Sequence, residues 1–162
     1  MAPDADQLIA FQGYPGAYSH LACREAYPDL EALPCESFED AFDAVKSGRA
    51  HLAMIPIENS VAGRVADIHT LMPDSGLFIV AEHFQRVNHC LLTVPGAAVG
   101  DLKSVHSHIQ ALSQCRNLIR DLGLNAEIEA DTAGSAKDIA ARADKAHAAI
   151  ASDLAGEIYG LD

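Results

Sequence analysis

The chain has 162 residues, 49% of them hydrophobic and 21% charged, a balance that supports a packed core and excludes a disordered polymer. That length is enough for one ordinary domain or two small α/β lobes. Its net charge of −12 excludes the basic surface that sequence-independent nucleic-acid binding needs and disfavours an anionic membrane surface, so an anionic ligand must be held by local donors.

From the N-terminus, Leu8–Gln12 is a short apolar run that ends in the turn chemistry of Gly13-Tyr14-Pro15-Gly16. A helix is expected over residues 19–27, stopped by Pro28, and a weak strand over residues 30–35. Ser37 followed by Asp40 reads as a capping box, and Phe38, Ala41, Phe42 and Val45 repeat at helical spacing up to Gly48. Residues 52–57 read as a fully buried parallel strand ending at Pro56, and a helix over residues 65–72 follows. Residues 77–81 and 87–94 are two β-rich stretches. The polar residues 83–86 between them mark a crossing from a first lobe, residues 1–82, to a second, residues 83–162.

Beyond that break, a strand around Val105 feeds a helix over residues 108–122, with Ala111, Leu112, Cys115, Leu118, Ile119 and Leu122 as its apolar stripe. Residues 126–130 and 148–151 read as strands, residues 135–143 and Asp153–Tyr159 as helices. Alternating strands and helices with short connections predict an α/β fold with a parallel sheet covered by helices, in two lobes with a cleft between them.

Met1 to Gln7 lacks the basic and apolar regions of a secretory signal, and no apolar run reaches the length of a membrane span, so a cytoplasmic location is expected. Cys23, Cys35, Cys90 and Cys115 show no Cys-x-x-Cys spacing and read as reduced thiols. The eight histidines are scattered, and His106 and His108 are too close to form a helical chelate, so no metal is expected.

Ligands of open α/β sheets bind beyond the carboxyl ends of the strands. The residues found there are Gly13 and Gly16; Glu58, Asn59, Ser60 and Gly63; His106, Ser107 and His108; Asp131, Thr132 and Gly134; and Ser152. Glycines let backbone approach a ligand, and hydroxyl and amide side chains add neutral donors. Ser37, Ser107, Thr132 and Ser152 equally satisfy the needs of helix N-caps. Glu58-Asn59-Ser60, three polar residues directly after an apolar run, point more strongly to a site. On a helix from Ser107, Ser107, Gln110 and Gln114 share one polar edge. His106 and His108 read equally as acid–base groups or as packing and capping residues.

These segments resemble the prephenate dehydratases. Gly13-Tyr14-Pro15-Gly16-Ala17-Tyr18-Ser19 is similar to the family's glycine-rich opening, Pro56-Ile57-Glu58-Asn59-Ser60-Val61-Ala62-Gly63 to its P-I-E-N-S-x-x-G motif, and Ser107 through Cys115 to its S-H-P-Q-A-L-x-Q-C segment. Asp131 to Ala136, Ala148 to Ser152 and Tyr159-Gly160-Leu161 are similar to later blocks. The resemblance implies a two-lobed architecture of the periplasmic-binding-protein type (type 2). It implies conversion of prephenate to phenylpyruvate, water and carbon dioxide on the way to phenylalanine, with no metal or nucleotide cofactor. It places Glu58, Asn59, Ser107 and Gln114 at active-site positions and Gly16, Ser19, Ser60, His108, Gln110, Thr132 and Ser152 around the substrate. A homodimer or homotetramer is implied for the full-length protein. A small-anion binding module of the same fold and an arogenate dehydratase are the alternatives.

Two departures stand out. Ile109 occupies the family's proline position, at what should be the first turn of a helix. The family's T-R-F motif, whose threonine protonates the departing hydroxyl and whose arginine holds a carboxylate, is not matched before Asp162, nor is a regulatory ACT domain. The expectation is therefore a truncated chain that folds into two lobes but catalyses poorly by itself.

Overall fold

Ile9, Ala10 and Phe11 are consecutive and all buried, as in a strand with a neighbour on each side and a layer on each face. They form the middle of β1 (Leu8–Gln12), which pairs in parallel with β2 (Glu31–Cys35) and β3 (Leu52–Met54) in the order β2-β1-β3. The computed structural model describes residues 4–162 and separates into two units. One runs to Tyr14 and from Tyr18 to Arg86; the other comprises Pro15–Ala17 and Val87–Asp162.

In the first unit, α1 (Tyr18–Ala26) and α2 (Phe38–Lys46) pack on the parallel sheet. The expected capping box is formed: the Asp40 amide donates to Ser37 Oγ at 3.1 Å and the Ser37 amide to Asp40 Oδ2 at 3.2 Å. Gly48, at φ +72°, follows the helix where a left-handed residue ends it. Ala41, Phe42 and Ala44 are buried, while Phe38 and Val45 are half-buried, so the stripe is narrower than its spacing suggests.

The buried strand expected over residues 52–57 is corrected. Only Leu52–Met54 is strand, and all three residues are half-buried. β3 ends the sheet order, with β1 as its neighbour, and Pro56 has no amide to extend the ladder. Next come an antiparallel ladder of β4 (Glu58–Asn59) with β5 (Gly63–Arg64), and α3 (Ala66–Leu71). The strand expected over residues 77–81 is also corrected: this segment has no regular structure. Phe78, Ile79, Val80 and Phe84 are exposed, because β propensity without a partner strand makes no ladder. Two polar contacts hold this segment to α1, from Gln85 Nε2 to Glu25 Oε1 at 3.4 Å and between His83 Nε2 and Glu25 Oε2 at 3.5 Å.

The second unit is a four-stranded sheet of β6 (Cys90–Thr93), β7 (Ser104–His108), β8 (Asn125–Glu129) and β9 (His147–Ala151), ordered β6-β9-β7-β8. β7 is parallel to β8 and β9, and β6 runs antiparallel to β9. Val105, Ala148 and Ile150 pack on one face with Leu112 of α4 (Ile109–Gln114) and Ile119 of α5 (Arg116–Asp121). Ala149 and Ala151 pack on the other with Ala136 and Ile139 of α6 (Thr132–Arg142) and Ala155 of α7 (Asp153–Tyr159). The single helix expected over residues 108–122 is interrupted at Cys115, yet Cys115 N still donates to Ala111 O and Ile119 N to Cys115 O. Leu118 and Leu122, assigned to its apolar stripe, are exposed. α6 starts three residues earlier than expected because Asp131 caps it, its Oδ1 accepting from Gly134 N at 2.6 Å.

The four cysteines are free thiols, and burial pushes each above its ordinary range, Cys23 to about 12. Among the described residues no helix is long and apolar enough to cross a membrane, and no cluster of His, Cys, Asp and Glu could hold a metal.

Candidate active site

Of the sequence-derived site residues, Ser19, Glu58, Asn59 and Ser60 belong to the first unit, and Gly16, Ser107, His108, Gln110, Gln114, Thr132 and Ser152 to the second.

In the first unit the site segment is a hairpin, not the strand-to-helix loop that the sequence suggests. Glu58 stands opposite Arg64 and Asn59 opposite Gly63. Asn59 Oδ1 accepts from the amides of Val61 and Ala62, both at 2.9 Å, and so closes the turn that carries Ser60. The carboxylate of Glu58 and the hydroxyl of Ser60 are on exposed residues. An open concavity on this hairpin is lined by Arg64, Ala66 and His69, which puts a guanidinium in the same small ladder as Glu58. Ser19 lies in the first turn of α1, half-buried.

In the second unit, chain direction gathers the polar residues at one end of the sheet. β7, β8 and β9 are parallel and deliver their carboxyl ends together. β6 is antiparallel, and its first residue, Cys90, pairs with Ala151, so His89 arrives beside the end of β9. Ser107 is fully buried and is corrected from helix start to strand: it lies within β7, and its Oγ donates to Ile150 O at 2.6 Å. His108 is the N-cap instead, its Nδ1 accepting from Gln110 N at 3.3 Å. The shared edge of Ser107, Gln110 and Gln114 therefore does not exist; Gln110 and Gln114 alone lie four residues apart on α4, both exposed. Thr132 is likewise not a cap but the first helical residue after Asp131.

Ser152 and Gly16 form the most tightly built contact. Ser152 Oγ donates to Gly16 O at 2.5 Å and accepts from Ala155 N at 3.0 Å, and Tyr159 donates its hydroxyl to Pro15 O at 2.8 Å. A Cβ on Gly16 would lie 2.7 Å from the Ala155 backbone, and Gly16 sits at φ +94°. The glycine is thus required by close packing and by its backbone conformation together.

His89 was not singled out from the sequence. Burial lowers its pKa, and a hydrogen bond with the Gln114 side chain acts the other way, so it brings a neutral-leaning imidazole to the strand ends. Its signal lies in the antiparallel pairing of β6, which periodicity does not encode.

An α/β chain with neutral donors and two histidines collected at strand ends belongs to the class of small-molecule sites built on strand carboxyl ends. The comparisons make it specific: the chain belongs to the prephenate dehydratase family, whose model matches residues 9–162. It is 52% identical over 159 residues to a bifunctional N-acyl-homoserine lactone acylase/prephenate dehydratase of Komagataeibacter europaeus, covering 98% of this chain and 57% of that protein. It is 46% identical over 154 residues to the chloroplastic arogenate dehydratase/prephenate dehydratase 2 of Arabidopsis thaliana, covering 95% of this chain and 40% of that one. Among solved structures, a quorum-quenching acylase, GqqA, superposes with a TM-score of 0.91 at 53% identity, over 96% of this chain and 57% of that one. The prephenate dehydratase of Arthrobacter aurescens in complex with L-Phe superposes with a TM-score of 0.86 at 28% identity, over 96% and 53%. The chain thus spans about half the length of the relatives it matches.

Proposed function

We propose that this chain carries the prephenate-binding and much of the catalytic machinery of a cytoplasmic enzyme that converts prephenate to phenylpyruvate, water and carbon dioxide. The observation that carries the reading is the family match across residues 9–162, with its motif residues at the polar strand ends. We further propose that the two units have the periplasmic-binding-protein architecture, that the substrate is taken by the polar groups of both, and that the native enzyme is a homodimer or homotetramer.

Loss of carboxylate and hydroxyl together aromatises the ring, so the protein must orient the substrate and assist the hydroxyl's departure. The residues divide accordingly. Gly16, Ser19, Ser60, Gln110, Thr132 and Ser152 supply backbone and neutral side-chain donors for the substrate's carboxylates. Asn59 spends its oxygen on the turn, which leaves its Nδ2 to donate. Ser107 gives its proton to Ile150 O, so its oxygen accepts. Gln114, held by His89, reaches the same end of the sheet; Glu58 adjoins Asn59, and His108 adjoins Ser107. This route needs no electron sink and no cofactor.

Arogenate differs from prephenate by an amino group, and several plant relatives are named arogenate dehydratases, so it is the second substrate to test. The test is to incubate the purified protein with each substrate and follow phenylpyruvate or phenylalanine, with and without chelator. Turnover of prephenate that chelator leaves unchanged supports the reading. Turnover that needs an added divalent ion, or binding of the substrate without turnover in the native-length protein, overturns it. Acyl-homoserine lactone hydrolysis belongs in the same panel, because the Komagataeibacter relative is named for it.

A further inference from the structure

Between Arg49 and Arg86 the sequence holds one lysine or arginine, Arg64, and it falls in the hairpin that carries Glu58, Asn59 and Ser60. Arg64 is the second residue of β5 and stands opposite Glu58 in the antiparallel ladder, so the two side chains leave the same face. Both residues are exposed. Among the described residues no carboxylate lies within 4.0 Å of the Arg64 guanidinium, and no hydrogen bond engages it. The guanidinium borders an open concavity of about 370 Å³ lined by Arg64, Ala66 and His69, within the range of about 300–1,000 Å³ that small-molecule sites occupy. Ala66 and His69 lie three residues apart on α3, hence on one face of that helix. Ala66 has no polar side chain, so the side-chain polar groups of the concavity are a permanent cation and an imidazole.

A guanidinium has its donors in a fixed fork, and a carboxylate fits that fork with two parallel hydrogen bonds. Glu58 is the internal competitor for it, yet the two are not paired, so the donors are open to an outside anion. Charge makes the same demand. The chain's net charge is −12 and prephenate has two carboxylates, so the substrate approaches against the overall field. Neutral donors orient such a substrate but do not cancel that repulsion; a cation in the motif does. The reaction then decides which carboxylate Arg64 can serve. The ring carboxylate leaves as carbon dioxide: its C–C bond breaks, the electron pair moves through the ring, and the C–O bond breaks to expel hydroxide, which takes up a proton as water. That group loses its negative charge in the transition state, so a guanidinium there would hold the ground state more tightly and slow the step. The carboxylate of the pyruvyl side chain keeps its charge from substrate to product, and a cation there does not oppose the chemistry.

We propose that Arg64, with the His69 ring as a second donor, holds the carboxylate that prephenate retains in phenylpyruvate, an assignment that rests on the prephenate reading above. Its contact is the same in substrate, transition state and product, which is uniform binding. Arg64 therefore sets KM and product affinity and leaves kcat alone. The affinity supplied by an exposed guanidinium is screened by salt, so it falls as ionic strength rises.

The test takes the native-length protein with its Arg64→Gln and Arg64→Lys variants and measures prephenate turnover and, by calorimetric titration, phenylpyruvate binding. In Arg64→Gln the KM for prephenate and the Kd for phenylpyruvate should rise together by about tenfold or more, through loss of charge-assisted bonds, with kcat within about twofold of wild type. The urea midpoint should not move, because the side chain is exposed. Arg64→Lys keeps the charge without the fork and should fall between the two. Raising salt from about 0.05 M to about 0.5 M should weaken phenylpyruvate binding in wild type more than in Arg64→Gln. A KM and a Kd both within about twofold of wild type overturn the assignment. So does a KM that rises while the phenylpyruvate Kd does not, since Arg64 would then hold the departing carboxylate, and so does a loss confined to kcat. Arg64→Lys and the salt series decide the question even if Arg64→Gln fails to fold. A wild-type protein that neither binds nor converts prephenate overturns the prephenate reading itself, and the role of Arg64 with it; that failure shows before any variant is made.

Discussion

Asn59 shows how a side chain can look purely functional in sequence and be half structural in the fold. Its Oδ1 holds two turn amides, which no spacing argument reveals, because the β4–β5 hairpin is only two residues wide on each side. The two roles separate by substitution. Asn59→Ala should cost about 1 kcal/mol of stability from the lost acceptor and also lower turnover. Asn59→Asp keeps an acceptor and loses the Nδ2 donor, so it should restore the melting temperature without restoring turnover. Full turnover in Asn59→Asp would sink the proposed donor role. Ile109 gives the complementary case. It is the first residue of α4, and His108 before it has φ −62° and ψ 143°, the extended conformation that a residue preceding proline prefers. Ile109→Pro should therefore stabilise the chain by about 0.4–1 kcal/mol, through a stiffer unfolded state. A lower denaturation midpoint would show that the Ile109 amide has a partner to lose.

Elements were legible where the sequence signal is local. The Ser37–Asp40 capping box, the Gly48 stop and the strand β1 need only neighbours in the chain, and the structure has all three. Residues 77–81 have the composition of a strand, but strand formation depends on a partner that composition does not name. Ser107 was misplaced for a similar reason: β7 runs three residues beyond Val105, the last apolar residue, and His106 and Ser107 within that extension are buried polar residues paired by side-chain bonds. The strand-end residues themselves, among them Ser152 and Gly16, were legible because βα order fixes where strand ends lie, whereas His89 depends on the antiparallel pairing of β6 with β9. The Ser152 cap joins α7 to the Gly16 turn through a buried hydroxyl. Ser152→Ala removes the cap and strands a buried carbonyl, for a combined loss of about 2–3 kcal/mol. Gly16→Ala, which drives a methyl into the Ala155 backbone, should do at least as much damage. Urea midpoints within error of wild type for both would mean that this turn is not part of the folded core.

At the scale of the whole molecule, mild acid should destabilise the fold through buried imidazoles. Burial lowers the pKa of His20, with the nearby Arg24 charge acting in the same direction, and burial lowers that of His89 against the opposing Gln114 bond. His20 also stacks on Phe11, with ring centroids 5.1 Å apart, which fixes it against the core strand of its unit. Each group is depressed in the folded state, so as the pH falls the unfolded chain binds its protons first. Stability is then complete above the ordinary imidazole value of about 6.5 and declines as the pH drops from there through the lower folded values. Relief of repulsion in a chain of net charge −12 works in the opposite direction. The urea midpoint should therefore fall between about pH 7.5 and about pH 5.5, and His20→Gln and His89→Gln should each flatten that fall. A wild-type midpoint that rises over this interval would mean that charge relief outweighs the two histidines. A fall of unchanged size in both variants would assign it to other groups.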